Sequence, residues 1–161
     1  MQHGAVEPQR APTLTIAVLT HNEARRIEDC LRSATFADQV VVVDSGSTDG
    51  TPDIARRMGA EVHSHPDWQG FAVQRNRLLD HSTGDYVFFL DADEVITPEL
   101  QREMEAIVRS GERAVWRVRW RMVAFGRELT YYRSTSAVER LFRRDMVLRY
   151  EGVVHELSLI H

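Results

Sequence analysis

The 161-residue sequence contains no lysine; all of its 20 Lys+Arg positions are arginine. That excludes a Walker-type phosphate lysine, a Schiff-base lysine and the lysine of phospho-receiver domains. Anions must therefore be held by arginine, by backbone N–H groups or by a metal. Cysteine is nearly absent as well. Cys30 stands alone, so no internal disulfide can form, and a reducing compartment fits. Cys30 lies in a helical pattern and is expected in the core. No run of about 18 apolar residues and no signal-peptide pattern occurs, so nothing here is expected to span a membrane. No Gly-x-Gly-x-x-Gly follows the first predicted strand, so the dinucleotide-binding fingerprint is missing. A formal net charge of -4 gives no reason to expect a nucleic-acid partner.

What is present is a strand–helix alternation. Met1–Pro12 is polar, carries two prolines and reads as a flexible leader. Thr13–Thr20 is a β-branched run that predicts a first strand, ending in His21-Asn22-Glu23. Ile27, Leu31 and Ala34 then share one helical face. Gln39–Val43 predicts a second strand, ending in Asp44 and the turn-forming S-G-S-T-D-G-T-P. Pro52 suits the first turn of the next helix, with Ile54, Ala55 and Met58 as its apolar face. Ala60–Ser64 is shorter and more polar, as befits a strand near an edge. Phe71–His81 predicts a helix with Phe71, Leu78 and Leu79 facing the core. Short β-then-α units of this kind give a parallel sheet with helices on both faces.

The stretch around which the rest is organised is Tyr86–Glu94, Y-V-F-F-L-D-A-D-E. Five apolar residues bury a strand on both faces, and carboxylates follow at its C-terminal end. In extended chain Asp91 and Asp93 point the same way, and two carboxylates facing one spot call for a cation such as Mg²⁺ or Mn²⁺. D-x-D alone is a weak signal; a strand followed by a solvated acidic turn is the plain alternative. In a parallel sheet, however, the polar clusters at residues 21–23, 44–49 and 91–93 all fall on one edge. Beyond them, Thr97-Pro98-Glu99 starts a helix with Leu100, Met104 and Ile107 as its stripe, ended by Ser110-Gly111. From Ala114 the pattern turns to period two: Trp116, Val118, Trp120 and Met122 on one face and Arg117, Arg119 and Arg121 on the other. That predicts an antiparallel strand. Glu139–Arg144 predicts another strand, Asp145-Met146 a turn and Val147–Tyr150 its return.

Three blocks carry a resemblance: T-I-A-V-L-T-H-N-E, V-V-V-D-S-G-S-T-D-G-T and Q-R-N-R-L-L-D-H-S-T-G-D-Y-V-F-F-L-D-A-D-E. In this order and spacing the chain resembles the family 2 glycosyltransferases of GT-A fold. The block Trp68–Asn76, R-L-F-R-R and E-G-V-V-H-E are similar, more narrowly, to bacterial enzymes that add a β-linked glucose to the lipopolysaccharide core. The resemblance implies a GT-A, Rossmann-like, mostly parallel α/β sheet with an antiparallel β addition after the D-x-D strand. It implies a nucleotide-sugar half at 13–94 and an acceptor half at 95–161. It further implies inverting transfer of a sugar, glucose in the first instance, from a UDP-sugar donor to a glycan or lipid-linked acceptor such as lipopolysaccharide core, with Mn²⁺ or Mg²⁺ as cofactor. A cytoplasmic protein follows, with peripheral association at the inner face of the membrane left open.

The resemblance also distributes roles. Thr20, Asn22, Glu23 and Asp44 hold base and ribose, and Ser45, Ser47 and Asp49 line the same pocket. Arg75 pairs with phosphate beside Asn76, Asp91 touches ribose or metal-bound water, and Asp93 ligates the metal directly. Glu156 takes the proton from the acceptor, ahead of Glu139 and Glu94, while His155 reaches the metal or diphosphate. Arg140 faces the site, with Arg143 and Arg144 toward water. Plain helix capping is the alternative for Asn76 and Asp49, and a polar strand end for His155-Glu156. The subgroup usually continues past V-H-E with helices that help hold the acceptor. Here only Leu157–His161 follow, so a non-catalytic or truncated nucleotide-binding protein is the competing expectation. Nucleotidyl transfer and a receiver-like domain fit less well, lacking their Gly-rich loop and lysine.

Overall fold

The computed structural model describes residues 9–119, 123–124, 127–128, 138–151 and 157–160. Four strand–helix units come first: β1 (Leu14–Thr20), α1 (Ile27–Arg32), β2 (Gln39–Asp44), α2 (Thr51–Arg57), β3 (Glu61–Ser64), α3 (Phe71–His81), β4 (Tyr86–Asp91) and α4 (Pro98–Ser110). Strands then dominate: β5 (Val115–Val118), β6 (Val123–Ala124), β7 (Arg127–Glu128) and β8 (Val138–Arg143). A short 3₁₀ turn at Arg144–Met146 leads to β9 (Val147–Glu151) and β10 (Leu157–Ile160).

The main sheet has the order β3-β2-β1-β4-β8-β5. β1 pairs in parallel with both β2 and β4, and β2 with β3, whereas β8 runs antiparallel to β4 and β5 antiparallel to β8. The parallel sheet and its antiparallel addition are thus as expected, and β3 is an edge. Period-two alternation decides what each face carries. Ile16, Val18, Val42, Phe88 and Leu90 pack with Ile27, Cys30 and Leu31 of α1, Ala55 of α2 and Met104 of α4. Ala17, Val41, Val43, Val87 and Phe89 pack on the other face with Ala72, Leu78 and Leu79 of α3. Phe88 and Phe89, neighbours in sequence, are each 1% exposed on opposite faces, so both faces are covered. Each such burial is worth about 1.5–3 kcal/mol, which is why the central strands read as unbroken apolar runs.

From β1 the chain runs through α1 to β2 on one side, whereas α3, on the opposite face, carries it to β4 on the other side of β1. A crevice opens between the C-terminal ends of the adjacent strands β1 and β4, the switch point of the sheet. The turn before β4 is pinned from below. Gly84 donates its N–H to Thr15 Oγ1 at 2.9 Å, and Asp85 accepts bonds from the amide and hydroxyl of Thr13. Arg10, inside the expected leader, forms a two-pronged ion pair with the same Asp85.

Two expectations about packing are corrected. Phe71 is not core but 44% exposed: as the first residue of α3 it lines a cavity instead of packing on the sheet. Val147–Tyr150 does not return along β8. After the 3₁₀ turn the chain leaves the main sheet, β9 pairs antiparallel with β10, and β9 packs against α3. Trp120, Arg121 and Met122 lie outside the described residues.

Candidate functional site at the sheet's carboxyl edge

Thr20 and Asp44 are register partners at the ends of β1 and β2. Asp44 is 2% exposed, and its carboxylate accepts four bonds: from Thr20 Oγ1 (2.8 Å), Ser47 Oγ (2.6 Å), Ser47 N (2.8 Å) and Gly46 N (3.1 Å). Four donors meet the acceptor capacity of a carboxylate, which is what a buried charge requires. Gly46 turns the loop with φ 90°, a conformation that disfavours a side chain, and Pro66 lies 3.2 Å from where a Cβ would sit. Asp44 therefore anchors the loop, and its acceptor positions are occupied by its own chain.

The same loop is stitched to the one after β1. Asn22 holds φ 52°, which asparagine tolerates better than most residues. Its N–H donates to Ser47 Oγ and its side-chain oxygen accepts from Thr48 N, both at 2.8 Å. Glu23 N donates to Thr51 Oγ1 (2.9 Å), and Asp49 accepts from Ala24 N (3.0 Å) and Thr51 N (3.1 Å). The Thr51 hydroxyl is the main cause of an Asp49 carboxyl held below its usual range. Asn22, Ser47 and Asp49 thus brace two loops and are not among the residues lining the cavity.

That cavity has a volume of about 630 Å³ and lies along this edge. Leu19, Thr20, His21 and Glu23 line it from β1 and its loop, and Ser45 from β2. Trp68, Phe71 and Arg75 come from the β3–α3 connection and α3, and Asp91, Ala92 and Asp93 from the end of β4. Polar groups distant in sequence thus meet on one rim, as expected. Gln74, fully buried, ties the parts together by donating to Ser45 Oγ (2.8 Å) and to the His65 carbonyl (3.0 Å). It stood within the Trp68–Asn76 block without a role; a polar residue at a helix position between apolar ones was the available signal. Asn76 turns elsewhere: its carboxamide clamps Tyr150, donating to the carbonyl at 3.0 Å and accepting the amide at 2.6 Å. It fastens β9 to α3 and does not line the cavity.

At the β4 end the strand stops at Asp91 and the chain turns through Ala92 and Asp93. Strand alternation therefore does not align Asp91 with Asp93; the turn does, and it adds Glu94. The Asp91 amide donates to Glu94 Oε2 (3.1 Å) and the Glu94 amide to the Asp91 carbonyl (2.9 Å). One carboxylate oxygen from each of Asp91, Asp93 and Glu94 lies within 4.8 Å of the others. Burial, and then the charge of Asp91, push the Glu94 carboxyl up to about 8. For Asp91, burial opposes ionisation, but Arg140 and Arg75 prevail and hold it below the usual carboxylate range. Three hard oxygen donors that repel one another fit Mg²⁺ or Mn²⁺.

Arg140 is buried beneath this turn instead of facing the cavity. It donates to the Phe89 carbonyl (3.1 Å), to Asp91 Oδ2 (3.1 Å) and to Glu94 Oε1 (3.4 Å). Arg75 approaches Asp91 from the cavity side at 3.8 Å, with its guanidinium over the Phe89 ring. Asp93 is half exposed, with Arg26 at 3.6 Å. Arg143 stacks over Tyr86, and Arg144 reaches the carbonyl of Val147. Glu139 lies 3.5 Å from Arg117. His155 and Glu156 lie outside the described residues.

The glycosyl transferase family 2 model matches residues 15–155. Over 153 residues the chain is 28% identical to the SPbeta prophage-derived glycosyltransferase SunS of Bacillus subtilis, covering 93% of this chain and 36% of that protein. An uncharacterised glycosyltransferase of Rickettsia bellii is 43% identical over 94 residues, 58% of this chain and 32% of the relative. The chain spans about a third of the length of the curated relatives it matches. Among solved structures, a mannosyltransferase of Pyrobaculum calidifontis in complex with GDP-Man and Mn²⁺ is similar at a TM-score of 0.55 and 33% identity, over 64% of this chain and 33% of that one. S. aureus TarS is similar at a TM-score of 0.55 and 28% identity, over 61% and 32%. The mostly parallel, helix-flanked sheet is that of GT-A glycosyltransferase structures.

Proposed function

The chain belongs to glycosyl transferase family 2, and from that premise we propose that it is a metal-dependent inverting glycosyltransferase. Its donor is a UDP-sugar, UDP-glucose in the first instance, and its acceptor a glycan or lipid-linked glycan of the lipopolysaccharide-core type. The observation that carries the reading is that one cavity is lined together by Thr20, Glu23, Ser45, Asp91, Asp93 and Arg75, with Arg75 3.8 Å from Asp91. Nucleotide-sugar chemistry needs this combination: polar groups for the nucleoside, a cation for the diphosphate and carboxylates for a divalent ion.

Asp93, Asp91 and Glu94 would hold Mn²⁺ or Mg²⁺, with His155 as a further ligand. When bound, the ion neutralises charge on the departing diphosphate. Arg75 orients that diphosphate. Asp44, Asn22, Ser47 and Asp49 act one layer back, fixing the loops that present Thr20, Glu23 and Ser45 to the nucleoside. Arg140 fixes the Asp91 carboxylate. Glu156 accepts the proton of the acceptor hydroxyl as its oxygen bonds to the anomeric carbon and the bond to diphosphate breaks, inverting that carbon. No helix among the described residues is long and apolar enough to cross a membrane.

Titration calorimetry of UDP-, GDP- and dTDP-sugars with Mn²⁺ tests the donor. UDP species bind tightest, and Asp93→Ala abolishes the Mn²⁺-dependent part of binding. Equal affinity of that variant overturns the metal assignment, and a preference for GDP-sugars overturns the donor assignment. Glu156→Gln keeps donor affinity and loses transfer; unchanged turnover removes Glu156 from its role.

A further inference from the structure

Three consecutive residues of α3, Gln74, Arg75 and Asn76, each reach a different neighbour. Gln74 bonds to Ser45 and to the His65 carbonyl, Arg75 approaches Asp91 at 3.8 Å, and Asn76 holds Tyr150. Successive helix positions point about 100° apart. One turn of α3 thus serves the loops after β2 and β3, the end of β4, and β9 together.

Asn76 stands in the helix interior, where asparagine is a poorer helix former than alanine. There it binds both backbone groups of one residue. Its Oδ1 accepts the Tyr150 amide at 2.6 Å and its Nδ2 donates to the Tyr150 carbonyl at 3.0 Å. The carboxamide takes the place that the peptide of a neighbouring strand would have. β9 lies outside the main sheet and pairs with β10. This clamp, with the packing of β9 on α3, therefore sets where Tyr150 stands.

The Tyr150 ring is buried and meets the buried Phe89 ring edge to face, 5.5 Å between centroids at 89°. The Arg75 guanidinium lies 5.1 Å from the centroid of Phe89 and 5.9 Å from that of Tyr150. Both distances fall within the roughly 6 Å over which a ring face attracts a cation. The two rings make a corner that seats the guanidinium, while Arg75 still lines the cavity beside Asp91. An arginine loose in water has many rotamers to lose when it meets an anion; one already seated has few.

Resting on the nucleotide-sugar reading above, we propose that Asn76 and Tyr150 are positioning residues for Arg75. Asn76 sets β9, β9 sets the Tyr150 ring, and the ring holds the guanidinium where the diphosphate of the donor arrives. The donor site is thus completed by a strand from the half of the chain expected to serve the acceptor.

The test is a double-mutant cycle on the full chain, read as Mn²⁺-dependent binding of UDP and of inorganic pyrophosphate. Tyr150→Leu and Asn76→Ala each weaken both ligands by about three- to tenfold, because both carry the diphosphate that Arg75 meets. Tyr150→Phe keeps the ring and stays within about twofold of the wild-type chain. In the Arg75→Met background, Tyr150→Leu changes affinity by less than about twofold, since the cation it acts through is gone. An undiminished loss in that background means that the ring acts on the fold or on the ligand directly, and overturns the proposal. So does a loss for UDP with pyrophosphate unaffected, which puts the ring at the nucleoside. Unchanged binding in Tyr150→Leu, with Arg75→Met weakened, overturns the positioning role and leaves the nucleotide-sugar reading standing. If the wild-type chain binds neither ligand with Mn²⁺, that reading fails and the positioning role fails with it. Should urea unfolding show that Asn76→Ala does not fold, the Tyr150 variants decide the test.

Discussion

Replacing Arg140 by Met removes a buried cation while keeping much of the side chain's length and apolar bulk. The guanidinium is 9% exposed and serves the Phe89 carbonyl, Asp91 and Glu94 at 3.1, 3.1 and 3.4 Å. Stranding the partners of a fully buried ion pair costs about 3–5 kcal/mol. Asp91 is 44% exposed at its side chain, so water recovers part of that. The expected loss is about 2–3 kcal/mol, or about 4–12 °C in Tm for a domain of this size. Urea unfolding in EDTA reads it as a lower midpoint at unchanged slope. Because the penalty lies in uncompensated carboxylate charge, Asp91→Asn in the same chain should return about 1–2 kcal/mol. A loss below about 0.5 kcal/mol, or strict additivity of the two substitutions, would refute the view that Arg140 is the internal counter-ion of the β4 turn.

Gly84→Ala places a Cβ 2.6 Å from Thr15 N and 2.9 Å from the Tyr86 carbonyl. Backbone cannot step aside, so the cost falls at the upper end of overpacking, about 3 kcal/mol, measurable by the same unfolding assay. Burial, then His63 and His65, lower the pKa of His81 from its ordinary 6.5. His63 stacks on its ring at 3.5 Å, His65 lies 3.1 Å away, and Glu61 and Asp80 are the nearby acids. The unfolded imidazole takes a proton more readily, so this contribution is complete above pH 6.5 and declines as pH falls toward the depressed folded value. His81→Gln should flatten the stability slope between about pH 7 and 5; an unchanged slope rejects the assignment. Cys30 is fully buried, and burial pushes its thiol up to about 12. A disulfide reagent at pH 8 should leave it unmodified until denaturant is added; prompt labelling of the folded chain would contradict its burial.

How far the sequence reached follows from what a local pattern can encode. The unbroken apolar runs ending at Asp44 and Asp91 gave two central strands, because strands covered on both faces need no alternation. The bounds of α3 and the Thr97-Pro98 start of α4 followed from turn and capping chemistry, and Thr97 does accept the Leu100 amide. Parallel order alone required that the ends of β1, β2 and β4 share an edge. So the sequence determined the elements, the architecture and the rim on which polar groups gather.

What each polar group does there was settled by packing. Asp44 carries the charge expected of a ligand group, yet four donors from its own loops already surround it. Asn76 was near the cavity in sequence and is spent on Tyr150. Phe71 read as core, but at the start of α3 its ring lines a cavity. Glu94 joined Asp91 and Asp93 because the strand stops at Asp91 and the chain turns there, and β9 took β10 as its partner once the 3₁₀ turn had led the chain off the sheet. A periodic pattern records which side of an element is apolar; it does not record which partners reach the other side first. That is decided when distant segments compete for the same carboxylate, amide or sheet edge.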